Sequence, residues 1–329
     1  MFSFKSVFED LSGKCRAFCI SITNLTYYVA REHKVSVIDY KTKKTIDTID
    51  IPSRIFDLKV TQCGGFLLVG CYDDTGRVVD LKTKKTVTLK GHASWVTCII
   101  ECEDTTVLTS SLDYTIRRWN RLTGVWICTY SGHSDMVSSI AYDKKKKHIF
   151  SGSDDCTIIV WNAETGQQIG VMKGHKDFIR SIALANENTI VSGSADKTAK
   201  IWDITTMKEI KTVSSHRSYI FSVAVTPSGQ YAVSGSHDKT VKVWSVETGE
   251  CVATICDIGF HVGKVEVSAD GKYIFVGCFR ENGYRIYEVE PAFSCIVHEF
   301  DAQVGIKSCT LKLLTDGSIV NEKGKNIKN

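Results

Sequence analysis

The apolar residues of this chain fall in short segments, rich in Val, Ile, Ser and Thr, that alternate with polar turns. Residues 226–229 (TPSG) and 164–166 (ETG) are two such turns. Short alternating segments at even spacing, bounded by turn residues, predict β-strands rather than helices. We therefore expect an all-β fold.

One segment recurs almost unchanged along the chain. It reads VSGSADKTAKIW at residues 191–202 and VSGSHDKTVKVW at residues 233–244, with weaker copies at residues 150–161 and 108–119. The tryptophans that end the four copies are spaced by 42, 41 and 42 residues: Trp119, Trp161, Trp202 and Trp244. A histidine precedes each tryptophan by 27 or 28 residues: His92, His133, His175 and His216. A fixed period of this length indicates a repeat architecture.

The same period continues on both sides of these four copies. Matching third-strand ends are spaced by 41, 40, 42, 41, 42 and 43 residues, which makes seven repeats: Asp39, Asp80, Asn120, Asn162, Asp203, Ser245 and Glu288. One further step from Glu288 falls near residue 329. Residues 308–329 also show a strand and turn pattern, so the sequence favours eight repeats over seven.

With four short strands per repeat and Gly-His and Trp-Asp marks, the chain resembles the WD-repeat family over essentially its whole length. The resemblance implies a single domain, residues 1–329, folded as a closed β-propeller of four-stranded antiparallel blades. Pairing of the N-terminal strand, about residues 3–10, with strands of about residues 303–329 would complete the last of eight blades and remove a free edge. The alternative is a seven-bladed ring with residues 302–329 appended.

The resemblance also implies a buried hydrogen-bonded set, here called a tetrad, in each of repeats three to six. Its members are a His, a Ser or Thr, an Asp and a Trp. They match His92, Thr109, Asp113, Trp119; His133, Ser151, Asp155, Trp161; His175, Ser192, Asp196, Trp202; and His216, Ser234, Asp238, Trp244. Four copies at a structural spacing favour a fold element over a catalytic triad.

The remaining residues give no sign of catalysis. The chain has no GxSxG, GxxxxGK[ST], HExxH or CxxC motif, and the Cys15/Cys19 and Cys98/Cys102 spacings do not suit zinc on strands. We expect no enzyme activity, cofactor, metal or small-molecule substrate. The thirteen cysteines, with an N-terminus unlike a signal peptide, predict reduced thiols and a cytoplasmic protein, with the nucleus as alternative.

Three places after each of the four histidines stands a large apolar residue: Trp95, Met136, Phe178 and Tyr219. In the family this position commonly lies on the top face beside the central channel and contacts partners, and His261 aligns with it in repeat seven. Charged neighbours could form a polar rim: Asp135, Lys176, Asp177 and Arg217. Aromatic and Met residues are typical interface anchors, so we predict partner binding here. The alternative is that they belong to the core.

A second candidate surface is basic. Ten lysines fall in three turns that the propeller geometry places on the bottom face: Lys41, Lys43, Lys44, Lys82, Lys84, Lys85, Lys144, Lys145, Lys146 and Lys147. They could meet anionic lipid or nucleic acid, although ordinary solvated turns are favoured. The sequence therefore predicts a non-catalytic scaffold or adaptor for other proteins in a complex, with an anionic-surface binder as the alternative function.

Overall fold

The computed structural model describes residues 2–15, 17–21, 25–103, 105–214, 216–256, 258–278, 282–290, 296–304, 307–314 and 319–321. Every regular element in this part of the chain is a β-strand. No helix in it is long and apolar enough to cross a membrane.

The first three blades each use four consecutive strands, ordered from the inside of the ring outward. Blade one contains β2 (Ala17–Ser21), β3 (Thr26–Arg31), β4 (Lys34–Asp39) and β5 (Thr45–Asp50). Blade two contains β6 (Ile55–Val60), β7 (Phe66–Cys71), β8 (Thr75–Asp80) and β9 (Thr86–Lys90). Blade three contains β10 (Val96–Glu103), β11 (Thr106–Ser111), β12 (Thr115–Asn120) and β13 (Trp126–Ser131).

The next three blades repeat this arrangement. Blade four contains β14 (Val137–Asp143), β15 (His148–Ser153), β16 (Thr157–Asn162) and β17 (Gln168–Lys173). Blade five contains β18 (Ile179–Asn186), β19 (Thr189–Ser194), β20 (Ala199–Asp203) and β21 (Lys208–Val213). Blade six contains β22 (Ile220–Val225), β23 (Tyr231–Ser236), β24 (Val241–Ser245) and β25 (Cys251–Ile255).

Blade seven is closed by the N-terminal strand. It contains β26 (Val262–Val267), β27 (Tyr273–Cys278) and β28 (Asn282–Glu290), and its outer strand is β1 (Ser3–Lys14). Strand β1 runs antiparallel to β28, with Ser3 opposite Glu290 and Asp10 opposite Tyr284. A separate three-stranded sheet follows, formed by β29 (Ile296–Val304), β30 (Lys307–Leu314) and β31 (Ile319–Asn321).

The expectation of eight blades is therefore wrong, and the alternative of seven is correct for the described residues. The N-terminal strand pairs with β28 instead of with strands of residues 303–329. Blade seven has only three consecutive strands of its own, so β1 fills the open edge there and the ring closes before residue 296 is reached. Within 303–329, residues 305–306, 315–318 and 322–329 lie outside the described part of the chain.

The core is divided among the junctions between blades. Seven clusters of buried apolar side chains each combine residues of two neighbouring blades. Between blades seven and one, for example, Phe275 and Ile286 pack with Tyr27 and Val29. Glycine on second strands allows close approach: a Cβ at Gly193 would lie 2.6 Å from Cγ2 of Ile220 in the next blade. Each blade is thus stabilised mainly by its neighbours.

Candidate interaction surface

The tetrad residues meet as a continuous hydrogen-bonded chain in blades three to six. In blade four, His133 Nδ1 lies 2.7 Å from Asp155 Oδ2, and His133 Nε2 lies 2.7 Å from Ser151 Oγ. Trp161 Nε1 donates to the same Ser151 oxygen at 2.8 Å. The corresponding distances in the other three blades are 2.7 to 2.9 Å. Since the Trp N–H can only donate and the carboxylate can only accept, the Trp proton is directed at the hydroxyl oxygen and a histidine proton is assigned to Nδ1, facing the aspartate.

The tetrads are closed to substrates. The hydroxyl-bearing residues Thr109, Ser151 and Ser192 are fully buried, and Ser234 is 1% exposed. Burial alone would raise the pKa of each tetrad aspartate, but hydrogen bonds from the histidine and a nearby threonine outweigh it and hold the pKa below its usual value. A Ser–His–Asp arrangement without access to its hydroxyl stabilises a blade and has no reactive surface.

Blades one, two and seven have no tetrad. Ile38, Val79 and Tyr287 occupy the places of the tryptophans, opposite Tyr27, Leu67 and Ile274 on the second strands. All three are buried in apolar clusters. These blades therefore depend on apolar packing where the other four also have a polar chain.

A second set of hydrogen bonds links the inner strands of neighbouring blades around the central channel. A side chain on one inner strand accepts a backbone N–H of the next blade at 3.1 to 3.3 Å: Asp57 from Ile99, Ser139 from Ile182, Ser181 from Val223 and Ser222 from Val265. Blade one has Ala17 at this place, which cannot accept a hydrogen bond. Instead, Lys264 of blade seven donates to Asp57 of blade two at 2.6 Å. Lys59 and Glu266 form a parallel ion pair at 2.6 Å, so charges span the inner strand of blade one.

The four predicted top-face residues are at the surface. Trp95, Phe178 and Tyr219 are 42%, 39% and 45% exposed, and Met136 is half-buried. The residue after each of them is a fully buried Val or Ile: Val96, Val137, Ile179 and Ile220. Because successive strand residues point to opposite sides, the core is filled by the following residue and the large apolar side chain is left outside.

Further aromatic residues extend this row at both ends. Tyr72 packs against Trp95 with ring centroids 4.7 Å apart, and Phe56 lies 5.3 Å from Tyr72. At the other end Tyr219 neighbours Phe221 and His237, and the His237 ring stacks on His261 at 3.7 Å. We call the whole set the top arc: Phe56, Tyr72, Trp95, Met136, Phe178, Tyr219, Phe221, His237 and His261.

Five of these residues also line a channel of about 710 Å³ along the ring axis: Phe56, Tyr72, Trp95, Met136 and Phe221. The sequence interpretation missed Phe56, Tyr72, Phe221 and His237. Tyr72 and His237 begin the turns after the second strands of blades two and six, where blades three, four and five have Leu112, Asp154 and Ala195. This variability within an otherwise repeated segment was the available signal.

Some charged neighbours of the top arc fix its turns, and others are exposed to solvent. Asp135 and Asp177 accept the backbone N–H of Met136 and Phe178, at 2.7 and 2.8 Å, and so fix the turns that carry these side chains. Lys176 and Arg217 are exposed. Arg180 is 3.0 Å from Asp154 and its guanidinium lies over the Phe178 ring. Burial, with the nearby carboxylates, raises the pKa of Asp154 to about 6.

The lysines of the predicted basic face are largely engaged with the protein itself. Ion pairs join Lys84 to Asp47, Lys145 to Glu187 and Lys147 to Glu103. Lys146 donates to the Glu187 carbonyl and the Asn188 side chain. Lys43 lies over the ring of Tyr40, with Tyr27 and Tyr273 also near its ammonium. Four lysines of the predicted basic face are exposed on blades one and two: Lys41, Lys44, Lys82 and Lys85.

No group of three or more His, Cys, Asp or Glu side chains among the described residues could hold a metal ion. Unlike the buried tetrads, the top arc presents exposed side chains: Trp95, Phe178 and Tyr219. It offers contact area and a polar rim rather than reactive groups.

A closed ring of four-stranded antiparallel blades defines a β-propeller. The family model "WD domain, G-beta repeat" matches residues 83–120, 124–162, 166–203 and 207–245, which contain the third strands with the tetrad tryptophans. Four repeats of this chain therefore belong to the WD-repeat family. Propellers of this family typically act as protein-interaction scaffolds and are generally non-catalytic.

Similar curated proteins match parts of the chain. The DENN domain and WD repeat-containing protein SCD1 of Arabidopsis thaliana is 29% identical over 150 residues, which are 44% of this chain and 13% of that protein. A guanine nucleotide-binding protein subunit beta-like protein of Encephalitozoon cuniculi is 31% identical over 110 residues, 31% of this chain and 33% of that protein. GID complex subunit 7 of Schizosaccharomyces pombe is 27% identical over 129 residues, 38% of this chain and 25% of that protein. The chain thus spans a third or less of the length of these relatives.

Proposed function

We propose that this protein is a non-catalytic scaffold that holds an extended segment of a partner protein across the top arc. The observation that carries the proposal is the exposure of Trp95, Phe178 and Tyr219 beside residues that already fill the core. Large apolar side chains that the fold does not need to expose are expected at binding sites. Two of the similar proteins are named as a complex subunit and a G-protein subunit-like protein, which supports a role within a complex.

The arc is suited to a segment with several anchor side chains rather than to one small ligand. Its large apolar residues occur on successive blades, and the channel mouth lies beside them. Aromatic rings supply large contact areas at a small cost in side-chain entropy. Asp135, Asp177 and Arg217 would surround these anchors with polar groups, as at the rim of a protein interface.

The test is a variant that combines Trp95→Ala, Phe178→Ala and Tyr219→Ala. We expect its melting temperature to stay close to that of the wild type, because exposed positions contribute little to stability. Partners cross-linked and purified with the wild type should be lost from this variant. A matched control truncates three exposed apolar residues on outer strands, Ile169, Ile210 and Val252, which are 41%, 49% and 36% exposed. If the control loses the same partners or the top-arc variant keeps them, the proposal is wrong.

A further inference from the structure

The outer turns of the blades provide an internal standard for what the fold itself requires. In blades one to six the third and fourth strands pair across these turns at the same spacing of seven residues, from Ile38 opposite Thr45 in blade one to Trp244 opposite Cys251 in blade six. At three aligned places five blades carry polar residues or a cysteine: Lys41, Lys44, Thr45; Lys82, Lys85, Thr86; Glu164, Gln167, Gln168; Thr205, Lys208, Glu209; and Glu247, Glu250, Cys251. Blade three instead carries Leu122, Val125 and Trp126. The fold therefore does not require apolar residues at these places.

All three departures are exposed. Leu122, Val125 and Trp126 are 54%, 60% and 53% exposed. The next residue, Ile127, is also exposed, but its aligned places hold Ile or Val in each of blades one to six, so it reflects the fold. We call Leu122, Val125 and Trp126 the blade-three patch.

The patch has a fixed aromatic element. Trp126 Nε1 donates to Thr129 Oγ1 at 3.0 Å, which holds the indole against its own strand. The strand that carries Trp126, β13 (WICTYS), has no charged residue. Strands at a sheet edge are usually protected by charges, and this one is not. A rigid, half-exposed tryptophan on such an edge is a typical interface hot spot.

Positive charge lies next to the patch. A Cβ at Gly124, within the blade-three turn, would be 3.0 Å from the Thr88 carbonyl oxygen and from Val87 of blade two. Lys85 directly precedes the strand of Val87 and Thr88, and Lys82 is in the same turn. Both lysines are exposed, whereas Lys84 between them is paired with Asp47.

We propose that the blade-three patch docks an amphipathic segment of a partner protein, in which large apolar residues are next to acidic residues. The apolar residues would cover Leu122, Val125 and Trp126, and the carboxylates would face Lys82 and Lys85. A second copy of this chain fits less well, because a two-fold contact through the same patch would bring the lysines of both copies together. This site is separate from the top arc and does not depend on it.

The aligned turn of blade four also provides the residues for a test variant. Leu122→Glu, Val125→Gln and Trp126→Gln give blade three the residues of blade four and so preserve turn chemistry. The probe is a displayed library of random peptides of about 16 residues, selected on the wild-type chain and counter-selected on this triple variant. We expect enriched peptides to combine aromatic or aliphatic residues with Asp or Glu, and to bind the triple variant at least about tenfold more weakly, a loss of about 1.4 kcal/mol.

Two further arms decide what covers the patch. Lys82→Glu with Lys85→Glu should weaken the selected peptides about tenfold or more, and binding should fall as salt rises. The control Glu164→Ala, Gln167→Ala and Gln168→Ala, on blade four, should leave binding unchanged. Enriched peptides without acidic residues, equal binding to the triple variant, or no specific peptide at all would overturn the proposal. Dimerisation of the wild type but not the triple variant, measured by light scattering, would assign the patch to a second copy and also overturn it.

Discussion

The four tetrad blades and the sector around the ring closure solve the same packing problem by different means. Blades three to six bury a polar chain from Asp to Trp, and the inner strands of blades four to six are linked to the next blade through serine hydroxyls. Blades seven, one and two have no tetrad, and ion pairs replace the serine contacts there. A buried network is stabilised by the pairing of its donors and acceptors, whereas partly exposed ion pairs remain sensitive to solvent and salt. The ring is therefore uniform in shape and uneven in the forces that maintain it.

Charge also fixes the strand that closes the ring. Arg31 of blade one contacts Asp10 at 2.6 Å, and Arg285 Nε donates to Glu9 at 2.7 Å. Lys43 lies among tyrosines of blades one and seven. The two ion pairs and the Lys43–Tyr273 contact each join blade one or blade seven to a segment distant in sequence.

The largest expected difference between the two sectors is in the stability lost when the third-strand residue at the tryptophan position is truncated. Trp202→Ala should lower the free energy of unfolding by about 3–5 kcal/mol, because it removes a fully buried ring and leaves Ser192 without a donor. Val79→Ala, at the same place in blade two, should cost about 2 kcal/mol. Chemical denaturation of both variants measures the difference, and equal losses would remove the distinction between the two sectors.

Within a tetrad, the hydroxyl is the shared partner. Ser192→Ala leaves Trp202 Nε1 and His175 Nε2 without their buried partner, so a loss of about 2–3 kcal/mol is expected. Ser192→Thr should recover most of this stability, since blade three carries Thr109 at that place. Failure of threonine to restore stability would show that side-chain shape, and not the hydrogen bond, decides the effect.

Blades seven, one and two form the closure sector of the ring. In this sector, Lys264→Ser removes the ion-pair partner of Asp57. Since the Lys264 and Asp57 side chains are 21% and 11% exposed, we expect a loss of about 1–2 kcal/mol, less than for a fully buried pair. Adding Asp57→Ser installs the residue type of blades four to six and should restore much of the loss. Thermal denaturation of the single and double variants checks this, and an additive double variant would contradict it.

Acid should weaken the tetrads. Their aspartates have folded pKa values below the unfolded value of about 3.9, so their stabilisation is present above about pH 4 and is lost as the pH falls below it. Asp196→Asn should therefore destabilise the protein near neutral pH and show a smaller loss of stability on acidification than the wild type. Denaturation curves recorded across this range test the sign.

Salt should act on the closure sector and spare the tetrads. At about 1 M salt the screening length falls to about 3 Å, which weakens the partly exposed ion pairs. Hydrogen exchange should become faster in β1, β2 and β26, because their free energy of local opening falls by less than about 1 kcal/mol. The exchange rates of β15 and β19 should remain unchanged. Equal acceleration throughout the ring would contradict the comparison.

The sequence predicted the strand pattern, the propeller class and the residues that meet in each tetrad, because all of these recur at a fixed period. It did not predict seven blades, since residues 308–329 also carry strand signals and only the pairing of β1 with β28 distinguishes the two rings. Asp57 and Lys264 could not be paired from sequence, because they are 207 residues apart and neither belongs to a repeated motif. Phe56 and Tyr72 were missed because blade two lacks the Gly-His mark that identified Trp95.

The pairing of β1 with β28 also sets an order of events during synthesis. Ser3 and Glu290 are hydrogen-bonded although they are 287 residues apart. At about 5–20 residues per second, on the order of 15–60 s pass between the synthesis of Ser3 and the synthesis of Glu290. During that interval Phe4, Val7 and Phe8 have no blade to pack against, and the nascent chain carries an open edge. Protection of this edge by a chaperone, rather than the stability of the finished ring, would then limit how much protein a cell obtains.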